Sequence, residues 1–117
     1  MTANKAIERV DRVKPNAYEE EDKFRWINDL DGMIQRLVMQ IAEPTIYSYP
    51  DDMDTELLVK GPWEDLYTLY LESMIDYHNR EFQNYNNSAS MFAARFDEFK
   101  KLYIRETLPK SYGTIKL

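Results

Sequence analysis

Apolar residues recur along this chain at intervals of three and four, the signature of amphipathic helices, and four stretches carry the pattern. In the first, Ala6, Ile7, Val10 and Val13 share a face, Thr2 is placed to cap the N-terminus, and Pro15 ends the element by disfavouring helical geometry at Lys14. The second opens behind Glu19, Glu20, Glu21 and Asp22, which suit a helix N-terminus. It aligns Phe24, Ile27, Leu30, Ile34, Leu37, Val38 and Ile41 until Glu43 and Pro44 close it. The third runs from Pro62, a residue suited to the first helical position, to about Asn84. The fourth begins near Asn87 or Ser88, either of which can cap it, so the last two form an antiparallel helical hairpin. The expected fold is all-α: a single domain over 1–117 with about four helices, two of them long and central, and an irregular connector at 44–61.

Two of these helices carry more apolar surface than one contact needs. From Trp63 to Tyr77, the side chains of Trp63, Leu66, Tyr67, Leu69, Tyr70, Leu71, Met74, Ile75 and Tyr77 sweep roughly 240° of the circumference. Only Glu64, Asp65, Thr68, Glu72 and Asp76 are left to face water. A surface helix needs a stripe of little more than ~100°, so this one is expected to be sandwiched, within its own chain or against a partner. Trp26 and Met33 broaden the second helix in the same way. The residues expected to reach a neighbouring subunit are therefore Trp26, Met33, Leu69 and Ile75. Gly32 lies inside the second helix at a cost of roughly 1 kcal/mol relative to alanine, for which close approach of another helix is the plain reason. In the fourth helix Phe92, Phe96, Phe99 and Tyr103 form an aromatic ridge that belongs in the core.

Between the second and third helices, Pro44, Pro50, Gly61 and the acids Asp51, Asp52 and Asp54 argue against regular structure. Glu56 to Val59 is expected to lie extended along its own bundle, the alternative being an added edge on a partner. Tyr47, Tyr49 and Tyr112 fall outside the helical pattern and are further candidates for partner contact, since tyrosine supplies large contact area at modest entropic cost. The tail 110–117 has no period and reads as a flexible end or a docking arm.

Composition removes most other functions. Apolar residues make up 44% and charged residues 31%, a globular balance. Cysteine is absent, which excludes disulfides, thiolate metal sites and a cysteine nucleophile, and suits a reducing compartment. No apolar leader follows Met1 and no run approaches the ~20 residues of a membrane span, so neither classical secretion nor membrane insertion is expected. With 21 acidic against 15 basic residues the net charge is −6, which disfavours specific nucleic-acid binding. An acidic wall would still let DNA slide past without adhering.

Candidate chemistry is sparse. His78 is the only histidine and makes neither a zinc site nor a triad by itself. Asp29, Asp31 and Gly32 resemble the start of a calcium loop, but they sit in a helical pattern and read as helix-surface carboxylates. Asp52, Asp54 and Glu56 alternate along the connector, a better geometry for a hard cation. Leu57 and Trp63 occupy the positions where an EF-hand requires glycine and a bidentate acid, so a solvated acidic turn is preferred. With only Gly32, Gly61 and Gly113 there is no phosphate cradle. No enzyme, cofactor or metal is expected.

The strings Trp26-Ile27-Asn28-Asp29-Leu30-Asp31-Gly32, Asp54-Thr55-Glu56-Leu57-Leu58-Val59 and Tyr85-Asn86-Asn87-Ser88 with Met91-Phe92, in that order, are similar to the small head-tail connector (adaptor) proteins of long-tailed phages and of prophages in Gram-positive bacteria. The likeness covers nearly the whole chain, from Lys14-Pro15-Asn16 to Leu108-Pro109-Lys110. It implies a helical virion protein that forms a homo-oligomeric ring under the portal, extends the DNA conduit and docks tail-completion proteins, without catalytic residues. One departure is Glu19 beside Tyr18, where related sequences have a capping Ser or Thr. The alternative function is a helical regulator that binds one host or phage protein and stays outside the virion.

Overall fold

A computed structural model of the chain describes residues 1–107. It holds four helices and no strand among those residues: α1 (Ala3–Val13), α2 (Glu20–Leu37), α3 (Asp65–His78) and α4 (Phe82–Thr107), with a 3₁₀ turn at Gly61–Trp63 leading into α3. The all-α expectation holds. The hydroxyl of Thr2 accepts from the Lys5 N–H at 3.2 Å, closing the first orphan donors of α1. α2 starts without a side-chain cap at Glu19, and its acidic first turn meets the helix dipole instead.

Ala3, Ala6, Ile7 and Val10 of α1, Phe24, Ile27, Leu30 and Ile34 of α2, and Leu66, Tyr67, Leu71 and Ile75 of α3 form one continuous core. The connector joins it: Met53, Leu57 and Val59 are buried, and Leu57 N–H donates to Met1 C=O at 2.9 Å. Residues 56–59 therefore pack on their own bundle. Phe99 of α4 is buried, whereas Phe92, Phe96 and Tyr103 are only partly covered, so the aromatic ridge lies along the margin of the core. Arg95 staples the α3–α4 hairpin: its guanidinium lies 4.2 Å from the Trp63 ring centroid, donates through Nε to Asp65 at 3.0 Å, and reaches Pro62 C=O at 2.7 Å.

Several boundaries differ from the sequence expectation. α3 stops at His78, not near Asn84, and α4 starts at Phe82, not at Asn87 or Ser88. Arg80 takes the left-handed conformation (φ 60°) that usually falls to glycine, with Arg80 N–H on Tyr77 C=O at 3.0 Å and Glu81 N–H on Asp76 C=O at 3.0 Å. That is the hydrogen-bond pattern of a Schellman end, and no glycine announces it. Ser88 sits inside α4 and donates to Asp76 Oδ2 at 2.8 Å. α2 ends at Leu37, followed by Gln40 at φ 58°, which places Ile41 beyond the helix; Leu37 and Ile41, both expected on the buried face, are 61% and 41% exposed. Val13 is likewise turned outward.

The polar stripe assigned to α3 is not a water-facing stripe. Thr68 and Asp76 are buried, and Asp76 also accepts from Lys14 Nζ at 2.7 Å, which ties the end of α1 to α3 and α4. A second internal ion pair joins buried Lys23 of α2 to Asp11 of α1 at 2.6 Å.

Candidate interaction surface

α2 is the element from which any surface must be built, because its two flanks meet different surroundings. On one flank Asn28, Asp31 and Gln35, spaced i, i+3 and i+7, face the connector. Gln35 donates to Thr45 C=O at 3.1 Å and accepts from Thr45 N–H at 2.8 Å. Asn28 does the same with Tyr47, at 3.1 Å in each direction. The two side-chain amides thus act as a false strand for the connector backbone.

Asp31 lies between them and is fully buried. This corrects the surface-carboxylate reading. Its Oδ1 accepts from the Tyr67 hydroxyl at 2.6 Å, while its Oδ2 accepts from the Tyr47 hydroxyl at 2.9 Å and the Leu58 N–H at 3.3 Å. Tyr67 Oη in turn accepts from the Val59 N–H at 2.9 Å. Burial raises the Asp31 carboxyl above the ordinary carboxylate range, and the hydrogen bonds from Tyr67 and Tyr47 oppose that shift. Burial, then the Asp31 charge, raises both phenols. The arrangement joins α2, the connector and α3 and leaves no buried polar side-chain atom without a partner among the described residues. The sequence signal was the polar i, i+3, i+7 stripe beside the apolar face, which the calcium-loop comparison obscured.

The candidate interface residues divide. Ile75 is fully buried and Trp26 is 7% exposed, stacked on His78 with ring centroids 5.1 Å apart, so neither faces a neighbour. Their own chain supplies the covering: α4 on α3, and Tyr18 with His78 on Trp26. Tyr47 points inward to Asp31. Leu69 and Met33 are partly covered, and Tyr49 reaches the surface while donating to Glu20 at 2.8 Å. Tyr112 lies outside the described residues.

Uncovered apolar surface collects elsewhere. With the connector pinned, Pro44, Thr45 and Ile46 form one wall of a groove of about 430 Å³ whose floor is the α2 surface at Asn28, Asp29, Gly32, Met33 and Arg36. Met33 also lines an adjoining hollow with Phe92 and Phe96 of α4. A Cβ built on Gly32 meets no atom of the described residues within 4 Å, so none of the four helices approaches it, contrary to the sequence expectation. Ile46 is 77% exposed, and Leu37 stands one turn beyond Met33. A separate patch occupies the α3–α4 corner, where Tyr77 and Phe82 are exposed next to Arg80 and His78.

The connector acids serve other ends. Asp52 accepts from Ser48 N–H at 2.7 Å and Thr55 Oγ1 at 3.0 Å, Asp54 from Asn4 at 3.2 Å, and Glu56 pairs with Lys60 at 3.3 Å and with the Met1 amino group at 3.0 Å. No group of three metal-ligating side chains converges among the described residues, and no helix there is long and apolar enough to cross a membrane. No family model matches the chain, and no characterised protein or solved structure matches it either.

Proposed function

We propose that this protein is a structural connector of a phage or prophage particle, a subunit that assembles with copies of itself into a ring beneath the portal and joins capsid to tail. Two things support the reading. The first is the resemblance carried by Trp26–Gly32, Asp54–Val59 and Tyr85–Phe92. The second, which carries it physically, is that among the described residues the uncovered apolar surface includes two unlike patches: a groove over Gly32 and Met33, and a corner at Tyr77 and Phe82. A ring needs a heterologous interface, in which one patch meets a different patch of the next copy. An acidic balance of −6 suits the wall of a DNA conduit that must not retain its cargo. The portal and the tail-completion proteins are the partners this reading requires.

Light scattering on the protein alone and mixed with the portal protein of the same particle tests assembly. Rings are expected for the wild type, and Leu37→Asp combined with Phe82→Asp, at positions 61% and 54% exposed, is expected to leave folded monomers. Wild type that stays monomeric in both conditions sinks the reading. Mass spectrometry of purified particles separates a connector, present in several copies, from a regulator that is absent.

A further inference from the structure

The Gly32 groove and the Arg80 corner differ in shape and match in charge. Glycine inside a helix costs about 1 kcal/mol relative to alanine. Here nothing among the described residues uses the space it opens. Asp29 stands toward one end of the groove and Arg36 toward the other, and neither forms an ion pair among the described residues. The corner carries Arg80 and Glu81, also outside every ion pair there, next to exposed Phe82. Arg80 is displayed because its left-handed backbone at the end of α3 turns the chain outward at that point. An aromatic side chain removes about 150–250 Å² from water when buried, so an exposed phenyl ring gains by entering an open groove of this kind.

We infer that the occupant of the groove is a second copy of this chain, whose Phe82 seats over Gly32 while its Arg80 pairs with Asp29. The inference rests on the ring reading and names the two faces that would meet. Opposite charges at both ends of the groove set the direction of docking, and like charges would oppose the reversed one. Because the two faces differ, the contact is head-to-tail and leaves the pair with one free groove and one free corner, which is what chain growth toward a closed ring requires.

The chain has no cysteine, so single introduced thiols report the contact cleanly. Gln83→Cys, which keeps Phe82 beside it, and Ile46→Cys, both at exposed positions, are mixed and treated with a short bis-maleimide, with and without the portal protein. The mixture is expected to yield at least about tenfold more cross-linked dimer than either variant alone, a factor that corresponds to a clear preference between contacts. Equal yields in all three samples, or none in the mixture, overturn the inference. As a second measure, Arg80→Glu and Asp29→Arg are each expected to weaken association at least about tenfold and to restore it when combined across partners. Rings that form normally in both single variants and give no mixed cross-link refute this pairing and leave the ring reading standing. Wild type that never associates refutes both.

Discussion

On one flank of α2, Asn28, Asp31 and Gln35 bind the connector through reciprocal hydrogen bonds, and every buried polar side-chain atom there is satisfied. On the neighbouring outward face Asp29, Gly32, Met33 and Arg36 line a groove that the described residues leave open. The same helix thus carries a polar stripe that completes the fold and an outer face that does not. Hydrogen bonds hold the irregular connector in one place, and that placement makes one wall of the groove. Stability and the interaction surface are therefore linked through the connector, and their adjacent faces share Asn28.

The comparison breaks most visibly at Asp31. Asp31→Ala leaves the Tyr67 and Tyr47 hydroxyls and the Leu58 N–H without their acceptor, and is expected to lower unfolding stability by about 3 kcal/mol, read from urea titration. The 430 Å³ groove should open at the same time, seen as faster amide exchange over 44–48 than over α3. A substitution that costs under about 0.5 kcal/mol, the range of an ordinary surface change, would mean that the connector is held by Met53, Leu57 and Val59 alone.

On the open flank the sign reverses. Gly32→Ala places a methyl where nothing lies within 4 Å, and is expected to raise the stability of the isolated subunit by up to about 1 kcal/mol. The same change should weaken assembly, because it raises the floor on which a partner's Phe82 rests. A loss of stability in the monomer would mean that Gly32 already meets a neighbour within its own chain.

Acidity sharpens the contrast by a smaller amount. The Asp31 carboxyl is held above its ordinary value, chiefly by burial, so the folded chain binds that proton more tightly than the unfolded chain. Its favourable contribution is complete in acid below the unfolded value and is lost as pH rises through the folded one. Relative to Asp31→Asn, the wild type is expected to lose stability as pH increases upward from about 4, then to level off. Denaturation midpoints of the two proteins across that range check this, and a parallel pair of curves would refute it. Least affected should be Leu37→Ser: at 61% exposure it is expected to shift the monomer by under about 0.5 kcal/mol while reducing association.

Much of this was legible along the chain. The helical period, the Thr2 cap, Pro15 and the hairpin of α3 and α4 all follow from local rules, and the structure follows them, whereas α2 stops at Leu37, well before the expected end at Pro44. The end of α3 was not legible, because Arg80 adopts a backbone conformation that sequence rules reserve for glycine or asparagine. The candidate contact residues fared unevenly for a related reason. Width of an apolar arc counts surface to be covered, and it does not say which neighbour covers it. Trp26 and Ile75 found partners in His78 and the core, whereas Ile41 falls beyond the early end of α2 and Leu37, in its last turn, is left exposed.

By itself, then, the order of residues determined the all-α class, the number of helices, the irregular stretch between Pro44 and Gly61 and the lack of cysteine chemistry, because each depends on periodicity, backbone propensity or simple presence. The tertiary structure alone decided that Asp31 is an internal acceptor, that Gly32 opens a groove and that Phe82 stands exposed. Those outcomes depend on which elements arrive beside α2 from 10, 36 and 27 positions away in the pairs Gln35–Thr45, Asp31–Tyr67 and Asp31–Leu58, and burial and hydrogen bonding are properties of that meeting.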